Sequence, residues 1–299
     1  MLLLTGRKQV AADDDRAVPG AARCNRRARA MSQPQIVFDG DLLRAVLIPG
    51  GSAQLMVTLD YRMPGKSDFS AARHSTSFAR MGYAQLSLKT RANDWFVNAD
   101  TAALEQALAQ VAVSYDRVHM LGYSMGGYGA FRFAKALRAR SVVAISPQLS
   151  IHPDVVPFDR RYRAEAQGFD PVLGDLTRLA DPDLRGLVVI DPFITNDLRH
   201  AFLLQQMFPR LRIVRLGFGG HPATRVLRDA AKGWTLHREA AAFQPKAKLI
   251  VQSHRAGRRQ SAGYWTRLAH YAQLRHPVWA EAALQRAQSL DPALDQSMD

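Results

Sequence analysis

The stretch Gly122-Tyr123-Ser124-Met125-Gly126 leaves an apolar run and enters a helical pattern. Val118, Met120 and Leu121 read as a short buried strand. From Met125 to Leu137, the residues Ala130, Phe131, Phe133, Ala134 and Leu137 are spaced for one buried helical stripe. The backbone must reverse between the two, so Ser124 stands at the apex of a sharp turn with its hydroxyl exposed. Gly122 and Gly126 spare that turn the Cβ atoms that would strike strand or helix. The helix after the serine aims unpaired N–H groups at any anion formed there. The chemistry this predicts is nucleophilic attack by Ser124, with half of an oxyanion hole already in place. Three fixed positions in five residues recur by chance. The flanking strand and helix, with Gly127 and Gly129, set this occurrence apart.

A serine hydroxyl needs a base, and the base needs a third group to fix its tautomer and balance its charge. Of nine histidines, His221 follows the last strand in the turn Gly217-Phe218-Gly219-Gly220-His221-Pro222. That puts it at the sheet edge where Ser124 is expected. His119, within a strand, and His200, on a helix, read as surface or packing residues, and His152 is the weaker rival. The acid should lie between Ser124 and His221, beyond the penultimate strand. Two aspartates qualify: Asp197 in Ile194-Thr195-Asn196-Asp197, and Asp191 at the strand end before Pro192. Asp197 is preferred because a loop residue can swing under the histidine, with Asp191 as the alternative. A second oxyanion donor is expected in the loop Asp60–Gly65, and the Tyr61 amide is the candidate. Arg62 and Tyr123, with Trp95 from the loop Lys89–Asn98, are candidate substrate contacts, although a packed loop tryptophan or a solvated arginine would look the same.

Strand and helix signals alternate steadily from Gln35. Ile36–Phe38 and Arg44–Ile48 read as edge strands, followed by strands at Gln54–Leu59, Tyr83–Leu88, Val118–Gly122, Ser141–Ile145, Leu187–Ile190 and Leu211–Leu216. Helices are expected at Ala99–Val113, from Met125 to about Arg138, and from about Leu198 to Met207. This order predicts an α/β class: a doubly wound, mostly parallel sheet over residues 34–242, with ligands bound beyond the carboxyl ends of its strands. Residues 147–185, rich in Pro, Asp and Arg, are expected to form a short lid-like insertion. Residues 1–33 read as a disordered extension, with Met31 a plausible native start. Residues 243–299 read as a C-terminal helical appendage. Trp265, Leu268, Tyr271, Ala282, Ala287 and Pro292 weakly follow a tetratricopeptide pattern, which makes a protein partner on these helices a possibility to test.

The 299 residues carry a net charge of +14, yet the excess is arginine spread along the chain, without an aromatic-interleaved basic motif. A nucleic-acid partner is therefore not expected. No apolar run reaches membrane-span length. The single cysteine, Cys24, cannot form an internal disulfide, so nothing argues for an oxidising compartment, and a cytoplasmic location is expected. Neither zinc spacing nor a phosphate loop is present, so no metal and no cofactor are expected.

Taken together these parts resemble the α/β-hydrolase superfamily over about residues 35–242. More narrowly, Ser124-Met125-Gly126-Gly127-Tyr128-Gly129-Ala130 with Ser146-Pro147-Gln148 is similar to small bacterial hydrolases linked to surface polysaccharide or glycoprotein assembly. The resemblance implies a triad of Ser124, His221 and an Asp, with the Met125 amide in the oxyanion hole. This chain departs from that pattern in having Asp60-Tyr61 where many relatives have His-Gly, and Asn196 before the aspartate. The expected function is a serine hydrolase cleaving a carboxylic ester, an acylated carbohydrate or small ester, through an acyl-enzyme on Ser124. The alternatives are an acyltransferase on the same scaffold, or a non-catalytic interaction protein using the helical tail.

Overall fold

The computed structural model describes residues 33–293. Expectations about the N-terminal extension, including Cys24 and Met31, fall on residues outside that range. Eight strands form one sheet: β1 (Gln35–Asp39), β2 (Leu43–Ile48), β3 (Gln54–Leu59), β4 (Ala84–Thr90), β5 (Arg117–Tyr123), β6 (Ser141–Ile145), β7 (Arg185–Ile190) and β8 (Leu211–Arg215). Their order is β1-β2-β4-β3-β5-β6-β7-β8. The β1–β2 and β2–β4 pairs are antiparallel, and every later pair is parallel. Of the two strands expected at an edge, only β1 is one, since β2 lies between β1 and β4.

The helices are α1 (Thr76–Arg80), α2 (Thr101–Ala112), α3 (Met125–Phe133), α4 (Thr195–Met207), α5 (Arg225–Asp229), α6 (Gly233–Ala240), α7 (Ala247–Gly257), α8 (Ala262–Ala272) and α9 (Pro277–Leu290). Strand alternation assigns each to a face. Val118 and Met120 of β5, Val142 and Ala144 of β6, and Val188 and Ile190 of β7 pack with α2, α3 and α4. Their neighbours Leu121, Val143, Ile145, Leu187 and Val189 point the other way, into a second core with α1, α5, α6 and α7. A parallel sheet covered on both faces explains why its central strands read as continuous apolar runs. Strand order, helices on both faces and the tight turn after β5 make this an α/β-hydrolase fold.

Residues 147–185 are not a detached flap. They contain two 3-10 turns, Glu165–Gly168 and Leu176–Leu179, and bury Ile151, Tyr162, Phe169 and Leu176 in the same core as α3. Tyr128 of α3 donates its hydroxyl to the Gly174 carbonyl over 2.8 Å. The C-terminal residues form the helices α7, α8 and α9, with α8 against α9 and α5. Among the described residues no helix is long and apolar enough to cross a membrane.

Candidate active site

The turn from β5 into α3 holds Ser124 at φ 49°, ψ −117°. A side-chain-bearing residue adopts this conformation only under constraint, at a cost of order 1–3 kcal/mol. The constraint is visible in the bonds around it. Ser124 N–H donates to the Ile145 carbonyl over 2.8 Å, while its carbonyl accepts from Gly127 at 2.8 Å and Tyr128 at 3.2 Å. The glycines act as the spacing predicts. A Cβ at Gly122 would lie 2.1 Å from the Gly126 carbonyl oxygen, and one at Gly126 would lie 2.7 Å from that of Asp60. The second contact sets the loop after β3 directly against the elbow. That loop is anchored by Asp60, which accepts from Lys89 at 3.0 Å and Ser70 at 2.7 Å and pairs with Lys66 at 3.2 Å.

His221 Nε2 lies 2.9 Å from Ser124 Oγ, and His221 Nδ1 lies 2.8 Å from Asp197 Oδ2. A carboxylate accepts, so Nδ1 carries the proton and Nε2 presents its lone pair to the serine hydroxyl. Asp197 sits in the first turn of α4, where the helix dipole favours negative charge. It was expected on a mobile loop; the helix begins three residues earlier than the apolar pattern showed and holds it rigidly. Asp197 is fully buried. Burial pushes its carboxyl upward, but the His221 hydrogen bond and charge, with Arg161, outweigh this and hold it below the usual range.

Asp191, the alternative acid, spends both carboxylate oxygens on backbone amides. Its Oδ1 accepts from Phe193 and Phe218 amides, each at 3.1 Å, and its Oδ2 from Gly220 at 2.8 Å. It thus ties the histidine loop to the end of β7, and burial raises its carboxyl against those three bonds. The C-terminal helices grip the same loop. His254 Nε2–H donates to the Gly217 carbonyl over 3.0 Å and Arg267 Nε–H to that of Phe218 over 2.8 Å. The Phe218 ring stacks on Phe193 at 4.1 Å and meets Tyr264 edge-on at 5.7 Å.

The insertion supplies a group that sequence reasoning missed. Arg161 Nη1 reaches Asp197 Oδ1 at 2.8 Å, while Nε and Nη2 fork onto Asp159, the shortest of these bonds being 2.7 Å. Asp159 also accepts from His200 Nε2 at 3.0 Å. His200 Nδ1 accepts from the Leu149 amide at 3.0 Å, which fixes the tautomer. His200 is therefore neither surface nor plain packing; it is the buried end of a chain of hydrogen bonds running His221, Asp197, Arg161, Asp159, His200. Nothing in the local sequence around Asp159 and Arg161 distinguishes them from ordinary loop charges. His119 is a packing residue, bonded to Ser141 Oγ at 2.7 Å. His152 pairs loosely with Asp154 at 3.8 Å, apart from this chain.

A cavity of about 760 Å³ opens onto Ser124 and His221, with Tyr61, Arg62, Tyr123 and Tyr162 in its wall. Arg62 is clamped by Glu165 of the insertion at 2.6 Å. Trp95, expected to touch substrate, does not line the cavity. It is fully buried, and its indole N–H donates to Gln148 Oε1 over 3.1 Å. An aromatic in a loop at a strand end has the look of a pocket wall, but this one is folded inward beneath Tyr162. Among the described residues no group of three or more His, Cys, Asp or Glu is arranged to hold a metal ion.

No protein-family model matches the chain, and no curated protein does. Among solved structures it is similar to the capsule O-acetyltransferase of Neisseria meningitidis serogroup A, with 13% identity over 60% of this chain and 85% of that one, at a TM-score of 0.45. It is similar to Est1E from Butyrivibrio proteoclasticus, with 15% identity over 69% and 99% of the two chains and a TM-score of 0.44. It is also similar to acetyl xylan esterase 1 from a Thermoanaerobacterium species, with 19% identity over 57% and 71% and a TM-score of 0.38. At these identities and scores the likeness carries nothing about reaction or substrate, which rest on the chain's own residues.

Proposed function

We propose that this protein is a serine-dependent carboxylic-ester hydrolase that passes through an acyl-enzyme on Ser124. The observation that carries the proposal is the unbroken series Ser124 Oγ, His221 Nε2, His221 Nδ1, Asp197 Oδ2, with separations of 2.9 Å and 2.8 Å across its two gaps. His221 takes the serine proton as Oγ attacks the ester carbonyl, and Asp197 stabilises the imidazolium that forms. The Met125 amide, first in α3 and so without an acceptor in its own helix, and the Tyr61 amide stabilise the tetrahedral oxyanion. His221 then protonates the departing alcohol, and water repeats the sequence on the acyl-enzyme. The roomy cavity, with tyrosines and arginines in its wall, suits a polar alcohol such as a sugar. When a sugar hydroxyl replaces water in the second half, the same groups transfer the acyl chain.

The test is hydrolysis of 4-nitrophenyl acetate and acetylated sugars by wild type and Ser124→Ala. The variant should lose at least about a thousandfold in kcat while folding normally. Turnover at the wild-type rate would remove Ser124 from the mechanism.

A further inference from the structure

Tyr162 belongs to the segment between β6 and β7, yet its hydroxyl lies 3.4 Å from His221 Nε2 and close enough to Ser124 for the two hydroxyls to interact. Its ring is held from several sides. It packs on Trp95 with centroids 4.8 Å apart, and the guanidinium groups of Arg62 and Arg161 sit over it at 5.8 Å and 5.3 Å. Trp95 is pinned by Gln148, Arg62 by Glu165, and Arg161 by Asp159. The chain thus fixes one phenol at the mouth of the cavity, with its oxygen facing the nitrogen that handles the proton. Burial pushes the phenol above its usual value, against the pull of Arg161. At neutral pH it therefore keeps its proton and acts as an O–H donor.

Resting on the Ser124 mechanism proposed above, the requirement is geometric. The oxygen that receives a proton from Nε2 must come within about 3 Å of it. The Tyr162 hydroxyl borders that space. We infer that Tyr162 is a catalytic residue, donating a hydrogen bond to the alcohol oxygen of the ester as its bond to the acyl carbon breaks. The bonding pair goes to the alcohol oxygen, the proton comes from His221 Nε2, and Tyr162 shares its own proton without losing it. Trp95, misread as a substrate contact, gains a role here: it is the surface on which Tyr162 rests.

Tyr162→Phe deletes the hydroxyl and keeps the ring on Trp95. Its kcat/KM should be compared with wild type on acetate esters whose leaving groups run from 4-nitrophenol to simple alkyl alcohols. A nitrophenolate leaves without help, so its ester should lose less than about threefold, whereas alkyl esters should lose roughly 10- to 100-fold. Equal losses across the series would put the hydroxyl on the carbonyl oxygen and overturn the assignment. No loss with alkyl esters would remove Tyr162 from the reaction. Replacing Tyr162 by 3,5-difluorotyrosine, which fills the same space, gives a second readout. Its more acidic hydroxyl should bring the alkaline loss of alkyl-ester turnover to lower pH, and an unmoved limb would count against the role. Labelling by a fluorophosphonate separates the two layers: normal labelling of Tyr162→Phe leaves Ser124 sound, while a wild-type protein that does not label sinks the Ser124 mechanism itself.

Discussion

Arg161 donates to Asp197 Oδ1 over 2.8 Å, on the side of the carboxylate that His221 leaves free. One guanidinium therefore fixes the plane in which Asp197 meets the imidazole, and its other edge is locked onto Asp159. Asp197 and Asp159 are both buried, and breaking such a network by removing its shared cation leaves uncompensated charge. Arg161→Gln should lower kcat about 10- to 100-fold with little change in KM, the scale expected when a reacting group is slightly misplaced. Arg161→Lys restores the charge without the fork and should recover only part of the rate. An unchanged rate in Arg161→Gln would show that the contact only packs.

The two aspartates should separate by what they damage. Asp197→Asn presents an amide to His221 and should cost about 10³–10⁴ in kcat. Asp191→Asn disturbs three bonds to backbone amides that hold the histidine loop. It should lower the melting temperature by roughly 3–10 °C and cost far less in kcat. Paired thermal melts and steady-state assays decide this, and the reverse ranking would make Asp191 the acid.

The C-terminal helices are part of the site's scaffold. Arg267 bonds the Phe218 carbonyl at 2.8 Å, three residues before His221. Arg267→Ala should reduce kcat about tenfold through a loosened histidine loop, while KM for small esters changes little. Wild-type kinetics in this variant would mean the helices merely cover the domain.

Acid should destabilise the fold before it protonates most carboxylates. His119 and His254 are buried, and each is held down from 6.5 to about 4, chiefly by burial; Arg117 adds to this at His119, while at His254 the Gly217 carbonyl opposes it. A depressed value in the fold means that the unfolded chain takes up the proton first. The stability each contributes is full above pH 6.5 and is lost as pH falls from there to about 4. By linkage each loses about 3 kcal/mol across that window, as an order of magnitude. Urea unfolding at several pH values tests this: the midpoint should fall between pH 6.5 and 4, and His119→Gln should flatten the fall. A flat midpoint would contradict it.

Ser124 and His221 could be picked out of the sequence because each follows a strand whose apolar pattern is local and unambiguous, whereas the acid stayed open between Asp197 and Asp191, which follow the same strand. Gly122 and Gly126 were legible for the same reason, since a tight turn writes its need for glycine into adjacent positions. Asp159, Arg161 and Tyr162 were not, because their partners Asp197, His200 and His221 lie 36 to 59 residues away and no periodicity marks the approach. Trp95 misled because a loop tryptophan looks alike whether its indole faces a cavity or Gln148. The short helices α1 and α5 span five residues each, too few for a helical period to show.

The most direct test of the central claim is covalent. Folded protein is treated with a fluorophosphonate, and the adduct is mapped by mass spectrometry in wild type, Ser124→Ala and His221→Ala. The account predicts one adduct, on the peptide carrying Ser124, absent in the first variant and formed far more slowly in the second. No adduct on the folded wild type, or one on another serine that survives Ser124→Ala, would contradict it.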